Sequence, residues 1–436
     1  MQGTAITLIS PRIAIQKGDF LGSGVPYWPI ELATLASFLR TEGETVAVID
    51  SLGDGPNDLE EREDHYLQGR SLEAYRLDAR IEGAELFIIY AMSYMSHQDI
   101  LAICKKLKER KPRTQIAILE NSQAVTAYSL PRLRNAFFDA GADILICGEA
   151  YHNWDHIREY LNGIAPKPEN IITKKDADDY MPVRAIMKDR ARYPVPAWDL
   201  FTLKGYWHLP YAHGPKTKKF LPILTSRGCP YPCDFCVIPE TNNRRWRGNE
   251  PEHVADEIIS LRDRFSVRDF QLEDVNPTVD HRRFDRLAKI LINRNAGVRL
   301  YIVSGTKAET IPLQSLPLWR KAGLRYISIS PESGSSRLME IIGKRFNYEH
   351  GIELVKGCNH NGIRTQACFL VGHPSETEND YKLSKDYMVR LLRVGLDEVA
   401  IFVVAPFAGS KLYSSSMISI ADKSDSEFFS KRASRL

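Results

Sequence analysis

Apolar and β-branched residues recur along this chain in short runs, each followed by a longer stretch in which apolar positions return every three or four residues. The first periodicity predicts strands and the second helices. In the N-terminal third the predicted strands are Ala5–Ile9, Thr45–Ile49, Leu86–Tyr90, Gln115–Leu119 and Ile144–Ile146. Helices are predicted between them over Ile30–Arg40, Gln98–Arg110 and Leu130–Ala140, with Gly43 and Gly141 stopping two of them. Five such alternations predict an α/β doubly wound, Rossmann-like sheet, which takes ligands beyond the carboxyl edge of its strands near the topological switch. No G-x-G-x-x-G follows the first strand, which disfavours a dinucleotide. A second series comprises Phe220–Leu224, Asp269–Leu272, Leu300–Val303, Tyr326–Ser330, Gln366–Val371 and Glu398–Val403, with a helix over Pro251–Phe265 typical of the spacers. Six βα units predict a partial, TIM-like (β/α)6 barrel, whose active groups gather at the carboxyl ends of its strands.

Length and composition fit this division. With 436 residues and a hydrophobic fraction of 43%, the chain is long enough for two cores. The expected boundaries are a first domain over 1–161, a linker over 162–219 rich in Pro, Lys and Asp, a barrel over 220–413 and a polar tail over 414–436. A net charge of +3 gives no nucleic-acid footprint, and the basic run Asn243–Arg247 reads equally as a solvated face or as a counterweight to nearby negative charge. No apolar run reaches the ~18–20 residues of a membrane span, and no basic region precedes a long apolar core at the N-terminus. Cytoplasmic residence is expected. Cys104, Cys147, Cys358 and Cys368 stand singly in apolar segments and are expected to be core residues.

The remaining cysteines, Cys229, Cys233 and Cys236, follow the first barrel strand with C-x-x-x-C-x-x-C spacing. Soft thiolates at this density suit iron–sulfur or zinc. Zinc lacks a close fourth ligand, since the nearest downstream histidine is His253, and three clustered thiols cannot pair off as disulfides. Iron–sulfur clusters ordinarily take four cysteines, so three leave one iron open to an outside ligand. Further motifs fall at later strand ends: Glu273-Asp274 after the second, Pro331-Glu332-Ser333-Gly334-Ser335 after the fourth with Lys344 beyond it, Gly372–Thr377 after the fifth and Pro406–Ser410 after the sixth. Taken alone, each reads as a cap or turn.

Together they resemble the radical S-adenosylmethionine (SAM) superfamily over residues 195 to 415. The resemblance implies a [4Fe–4S] cluster on Cys229, Cys233 and Cys236, with SAM chelating the open iron and Phe235 packing near the adenine. It implies that Glu332, Ser333 and Gly334 belong to the segment that meets the SAM amino group and ribose, and that a 5′-deoxyadenosyl radical abstracts a hydrogen atom. The order of the two domains is similar to the cobalamin-binding subgroup: a proline-bearing loop after the first strand (Pro11, Pro26–Pro29) and Glu31 at the next helix, Asp50 ending the second strand, and Gly148-Glu149 ending the fifth. Ser93 and Tyr94 lie in the small polar loop that would face the corrin. Where relatives carry Gly-Gly after the fourth strand this chain has Glu120-Asn121-Ser122-Gln123, so Ser122 stands in a nucleotide-loop pocket that is altered or empty. No D-x-H-x-x-G follows Asp50, so no histidine of that loop is expected on cobalt, and His97, His152 and His156 read as surface or helix residues. The run Tyr193–Leu200 resembles the subgroup's linker, and the aromatics Trp198, Phe201, Tyr206, Trp207 and Tyr211 read equally as chamber wall or seam. The tail from Ser414 implies that the large C-terminal cap of some relatives is absent or truncated. The implied activity is C-methylation of an unactivated carbon on a small molecule or natural product, with an external one-electron reductant such as flavodoxin or ferredoxin. Oxidative cyclisation or rearrangement with the same cofactors, and a non-catalytic iron–sulfur protein, are the alternatives.

Overall fold

The computed structural model describes residues 4–18, 25–75, 78–124, 126–187 and 193–415. The chain divides into two units, one of residues 1–210 with 240–243 and 407–436, the other of residues 211–239 with 244–406.

In the first unit, β1 (Ala5–Ser10), α1 (Ile30–Thr41), β2 (Thr45–Asp50), β3 (Leu86–Ala91), α2 (His97–Arg110), β4 (Gln115–Glu120), α3 (Arg134–Asp139), β5 (Ile144–Ile146), α4 (Trp154–Leu161) and β6 (Ile171–Thr173) build one sheet with flanking helices. Its order is β2-β1-β3-β4-β5-β6. The first five strands run parallel, and β3 is buried throughout because helices cover both faces of such a sheet. The strand order reverses between β1 and β3, placing the switch point at their carboxyl ends, where Ser10 lies opposite Asp50 of β2. In α1 the buried Leu32, Leu35, Ala36 and Leu39 keep helical spacing, and Glu31 in the first turn accepts a hydrogen bond from Tyr151 Oη at 2.9 Å.

Two expectations are corrected here, and one element is new. The sheet has six strands rather than five, because Ile171–Thr173 within the expected linker pairs antiparallel with β5. Leu130–Ala140 is not one helix: Pro131 sits in a 3-10 turn over Leu130–Leu133, and only Arg134–Asp139 is α-helical. A three-stranded antiparallel ribbon of Ile13–Gln16, His65–Gln68 and Leu59–Glu61 was not expected at all. From the linker aromatics, Trp198 and Tyr206 of α5 (Leu203–His208) and its approach pack inside the first unit. Tyr206 stacks on Trp28 with centroids 4.1 Å apart, and Trp198 meets Trp28 edge-on at 5.5 Å.

The second unit holds β7 (Phe220–Ile223), α6 (Pro251–Phe265), β8 (Asp269–Leu272), α7 (His281–Asn293), β9 (Arg299–Thr306), α8 (Leu316–Ala322), β10 (Leu324–Glu332), α9 (Ser336–Ile342), α10 (Tyr348–His360), β11 (Arg364–Val371), α11 (Glu378–Arg393) and β12 (Glu398–Val403). All six strands are parallel and lie in sequence order, the partial barrel expected from the spacing. Local chemistry sets the helix starts. Asp280 caps α7 by accepting from Arg283 N, and Thr377 with Asp380 forms a capping box on α11. Alternation gives the sheet two faces. Phe270, Leu272, Ile302 and Ile327 are fully buried on one, together with the helix residues Leu261, Phe284, Leu287 and Trp319. The other face is polar and aromatic: Tyr301 meets Asp269 there, and Tyr326, Ser328, Gln366 and Glu398 are linked by hydrogen bonds. Cys104, Cys147, Cys358 and Cys368 are buried, as expected of core thiols.

Candidate active site

The cysteine loop leaves the barrel after β7 and is fixed at both ends. At its start the buried Asp274, just past β8, accepts from Thr225 N at 3.0 Å, Thr225 Oγ1 at 2.7 Å and Ser226 Oγ at 2.5 Å. Burial raises the Asp274 carboxyl and these donors oppose the rise. Gly228, with φ of 73°, then turns the chain in a left-handed conformation that a side chain would strain. At the far end Asp234 N donates to Ile342 O at 2.9 Å, and Asp234 Oδ2 lies 3.0 Å from His373 Nε2. His373 Nδ1 accepts from Ser375 N at 3.1 Å, so Nε2 carries the proton and donates to Asp234. The Gly372–Thr377 turn therefore clamps the segment between the second and third cysteines.

Cys229, Cys233 and Cys236 are half-buried and free. Burial raises all three thiols: Cys229 above its ordinary value, Cys233 up to about 12 and Cys236 well above the thiol range, where a neighbouring Cys233 charge adds to the rise. The Lys344 ammonium works against burial at each. Left to themselves these groups stay protonated near neutrality, so a bound metal centre must take their protons. Among the described residues no three of His, Cys, Asp and Glu are gathered closely enough to hold a single metal ion.

Beneath the thiols lies a buried ion pair. Lys344 Nζ donates to Glu332 Oε1 and to Ser330 Oγ, both at 2.6 Å. Burial pushes Lys344 down, but Glu332 and then Cys233 hold it above its ordinary value; burial likewise raises Glu332 against the pull of Lys344. Glu332 has φ of 61°, a left-handed conformation rare for a glutamate, at the register shift that ends β10. A cavity of about 520 Å³ beside the loop is lined by Tyr231, Lys307, Glu340, Gly343, Lys344 and Arg345. Its cations suit a ligand carrying carboxylate or an electron-rich cluster edge.

The other expected positions have well-defined places. Phe235 packs on Leu338, Met339 and Ile342 of α9. Ser333 Oγ lies 2.8 Å from Ser384 Oγ and accepts from Ser335 N, while Gly334 N donates to Ser384 Oγ at 3.0 Å. Both are thus engaged with α11. In the first unit Ser93 Oγ accepts from Met95 N at 3.3 Å, and the Tyr94 ring stacks on His97. Ser122 Oγ accepts from Gln123 Nε2 at 2.8 Å. Glu149 is buried and accepts from Met187 N at 2.7 Å and Tyr193 Oη at 3.1 Å. Asp50 accepts from Tyr206 Oη at 2.8 Å, and burial raises it to about 7. Ser10 Oγ and Asp50 Oδ2, side by side at the switch point, are buried without hydrogen-bond partners.

Sequence reading did not anticipate three polar pairs. Arg184 Nε donates to Glu120 at 2.9 Å in a fully buried pair, His373 meets Asp234, and His213 Nδ1 lies 2.6 Å from Glu273 Oε2. Their members stand 64, 139 and 60 residues apart, beyond any local spacing rule.

Residues 223–388 match the family model described as the Radical SAM superfamily. An uncharacterized methyltransferase of Pyrococcus horikoshii is 24% identical over 232 residues, 53% of this chain and 48% of that protein. The anaerobic magnesium-protoporphyrin IX monomethyl ester cyclase of Rubrivivax gelatinosus is 29% identical over 238 residues, 53% of this chain and 40% of that protein. The chain therefore spans about half the length of these curated relatives or less. In fold it is similar to the radical S-adenosylmethionine methyltransferase TsrM from Kitasatospora setae, solved with cobalamin and a [4Fe–4S] cluster, at a TM-score of 0.65 and 15% identity over 94% of this chain and 74% of the other.

Proposed function

We propose, from the match of residues 223–388 to the Radical SAM superfamily model, that this protein is a cobalamin-dependent radical SAM enzyme that methylates an unactivated carbon of a small molecule. The observation that carries the reading is the trio Cys229, Cys233 and Cys236, raised by burial and set over the Lys344–Glu332 pair at the carboxyl end of the first strand of a six-stranded parallel barrel. Three thiols, with no close fourth ligand, match a [4Fe–4S] centre with one open iron rather than closed zinc. When bound, the cluster supplies the electron that cleaves SAM and the corrinoid supplies the methyl group.

The chain's own groups have distinct tasks in this reading. Cys229, Cys233 and Cys236 hold the cluster once deprotonated, and Lys344 offsets part of its negative charge. Glu332, fixed by Lys344, presents its carboxylate toward a SAM ammonium, and Phe235 borders the adenine. At the first unit's switch point the buried, unpartnered Ser10 Oγ and Asp50 Oδ2 match the amide-bearing rim of a corrinoid, with Ser93, Tyr94, Ser122 and Glu149 on the adjoining loops. Electrons come from an external one-electron donor, and a reducing, cytoplasmic setting suits an oxygen-sensitive cluster.

Anaerobic reconstitution with iron, sulfide, hydroxocobalamin, SAM and dithionite tests the reading. Release of 5′-deoxyadenosine with formation of S-adenosylhomocysteine in the presence of substrate is expected. The cyclase relative motivates one competing outcome, 5′-deoxyadenosine without S-adenosylhomocysteine. Absence of both would leave an electron carrier.

A further inference from the structure

Across the inner face of the barrel sheet, polar side chains satisfy one another. Tyr301 Oη donates to Asp269 at 2.6 Å, Tyr326 Oη to Glu398 at 2.9 Å, and Ser328 Oγ to Gln366 Oε1 at 2.9 Å. The carboxyl end of β8 breaks this pattern. Gln271, 1% exposed, donates its amide to Pro215 O at 3.4 Å, yet its Oε1 is buried with no partner. Glu273, whose side chain is 10% exposed, meets His213 Nδ1 through Oε2, yet its Oε1 is also buried with no partner.

The two residues are separated by one position, so they share a strand face about 7 Å apart. Each is anchored by its other end to the same short segment, His213 to Pro215. That segment is held close: a Cβ on Gly214 would stand 2.2 Å from Val303 Cγ1. Neither free oxygen is therefore loose. Both are acceptors, one of them on a carboxylate, and a buried acceptor left without a donor is costly. The position is also the right one for a reacting molecule, because Glu273 N donates to Ile223 O at 3.0 Å, in the strand that leads into the cysteine loop. Apolar surface lies alongside, in the cluster of Tyr301, Val303 and Tyr326.

We infer that Gln271 Oε1 and Glu273 Oε1 form a binding site for a cationic amine, and that the substrate carries a protonated amino group which anchors it there. An ammonium brings donors and a positive charge, for which the site offers two acceptors, Gln271 Oε1 and an oxygen of the Glu273 carboxylate; an alcohol brings one donor and no charge. His213 is a positioning residue that turns Glu273. The inference deepens the proposed function, on which it rests for calling the occupant a substrate.

The test uses the full chain, reconstituted anaerobically, with benzylammonium and benzyl alcohol as matched probes followed by saturation-transfer NMR and calorimetry. Benzylammonium is expected to bind roughly tenfold or more tightly than benzyl alcohol, and Glu273→Gln and Gln271→Leu each to erase most of that preference. Gln271→Glu, which keeps an acceptor, is expected to retain it, and Lys289→Ala on the exposed side of α7 to change nothing. Circular dichroism identifies any variant that fails to fold, in which case Glu273→Gln, the isosteric change, decides. Equal binding of the two probes, no binding of benzylammonium by the wild type, or unchanged preference in folded Glu273→Gln protein would overturn the inference. Release of 5′-deoxyadenosine by the wild type is scored separately: its failure with ammonium selectivity intact sinks the cofactor reading and leaves the amine site standing.

Discussion

At the scale of single residues, burial sets the charge states that matter. The raised thiols of Cys229, Cys233 and Cys236 make cluster assembly a deprotonation, so iron uptake during reconstitution is expected to fall steadily as pH is lowered from 8 toward 6, measured as iron per chain. His373→Ala removes the donor that holds Asp234 between two of those thiols. It is expected to release iron on the order of 10-fold faster under chelator than the wild type, with His373→Gln, which keeps an N–H, largely restoring retention. Asp50 gives a stability prediction with a definite sign. Its folded pKa of about 7 exceeds the unfolded carboxylate value, so its contribution is fully present below about pH 4 and is lost as pH rises through 7. The corresponding term is on the order of 4 kcal/mol at most. Asp50→Asn keeps an acceptor for Tyr206 and removes the titration, so its urea midpoint should drop less than the wild type's between pH 5 and pH 8, followed by the fluorescence of Trp28 and Trp198 beside Tyr206.

At the scale of elements, what was legible in the sequence follows the strength of the local signal. All eleven strands expected from apolar runs exist, because buried parallel strands are written as unbroken hydrophobic stretches such as Leu86–Ala91. Ile171–Thr173 and the ribbon of Ile13–Gln16, Leu59–Glu61 and His65–Gln68 were invisible for the opposite reason. They are only three or four residues long, too short for a periodicity to show, and Leu59–Glu61 and His65–Gln68 are largely polar as well. The cysteine loop was legible because ligand spacing is local, whereas the Gln271–Glu273 face needed the register of β8 and the return of His213–Pro215 across it. Close contact between elements is likewise a property of the fold. Gly205 of α5 meets the short helix Ser51–Asp54, where an added Cβ would stand 2.0 Å from Gly53 O. Gly205→Ala should therefore cost ~1–3 kcal/mol, seen as a fall of several degrees in the melting temperature.

At the scale of the whole molecule, the first unit is discontinuous in sequence. Among the described residues, 240–243 and 407–415 complete it. Within it Glu240 accepts from Ser129 Oγ, Asn242 donates to Ser122 O at 2.5 Å, and Ala408 is fully buried in the main apolar cluster. A fragment of residues 1–210 lacks all three and exposes the surface they cover. It is expected to melt lower and aggregate more readily than the full chain in a thermal scan, even though it carries every strand of the six-stranded sheet. The same discontinuity bears on birth at the ribosome. A nascent polypeptide emerges amino end first, yet the opening sheet has to wait, unfinished, while the barrel strands are made and until the segment beginning at Phe407 reaches it, so the earliest-made part of this protein settles only after the barrel has been synthesised.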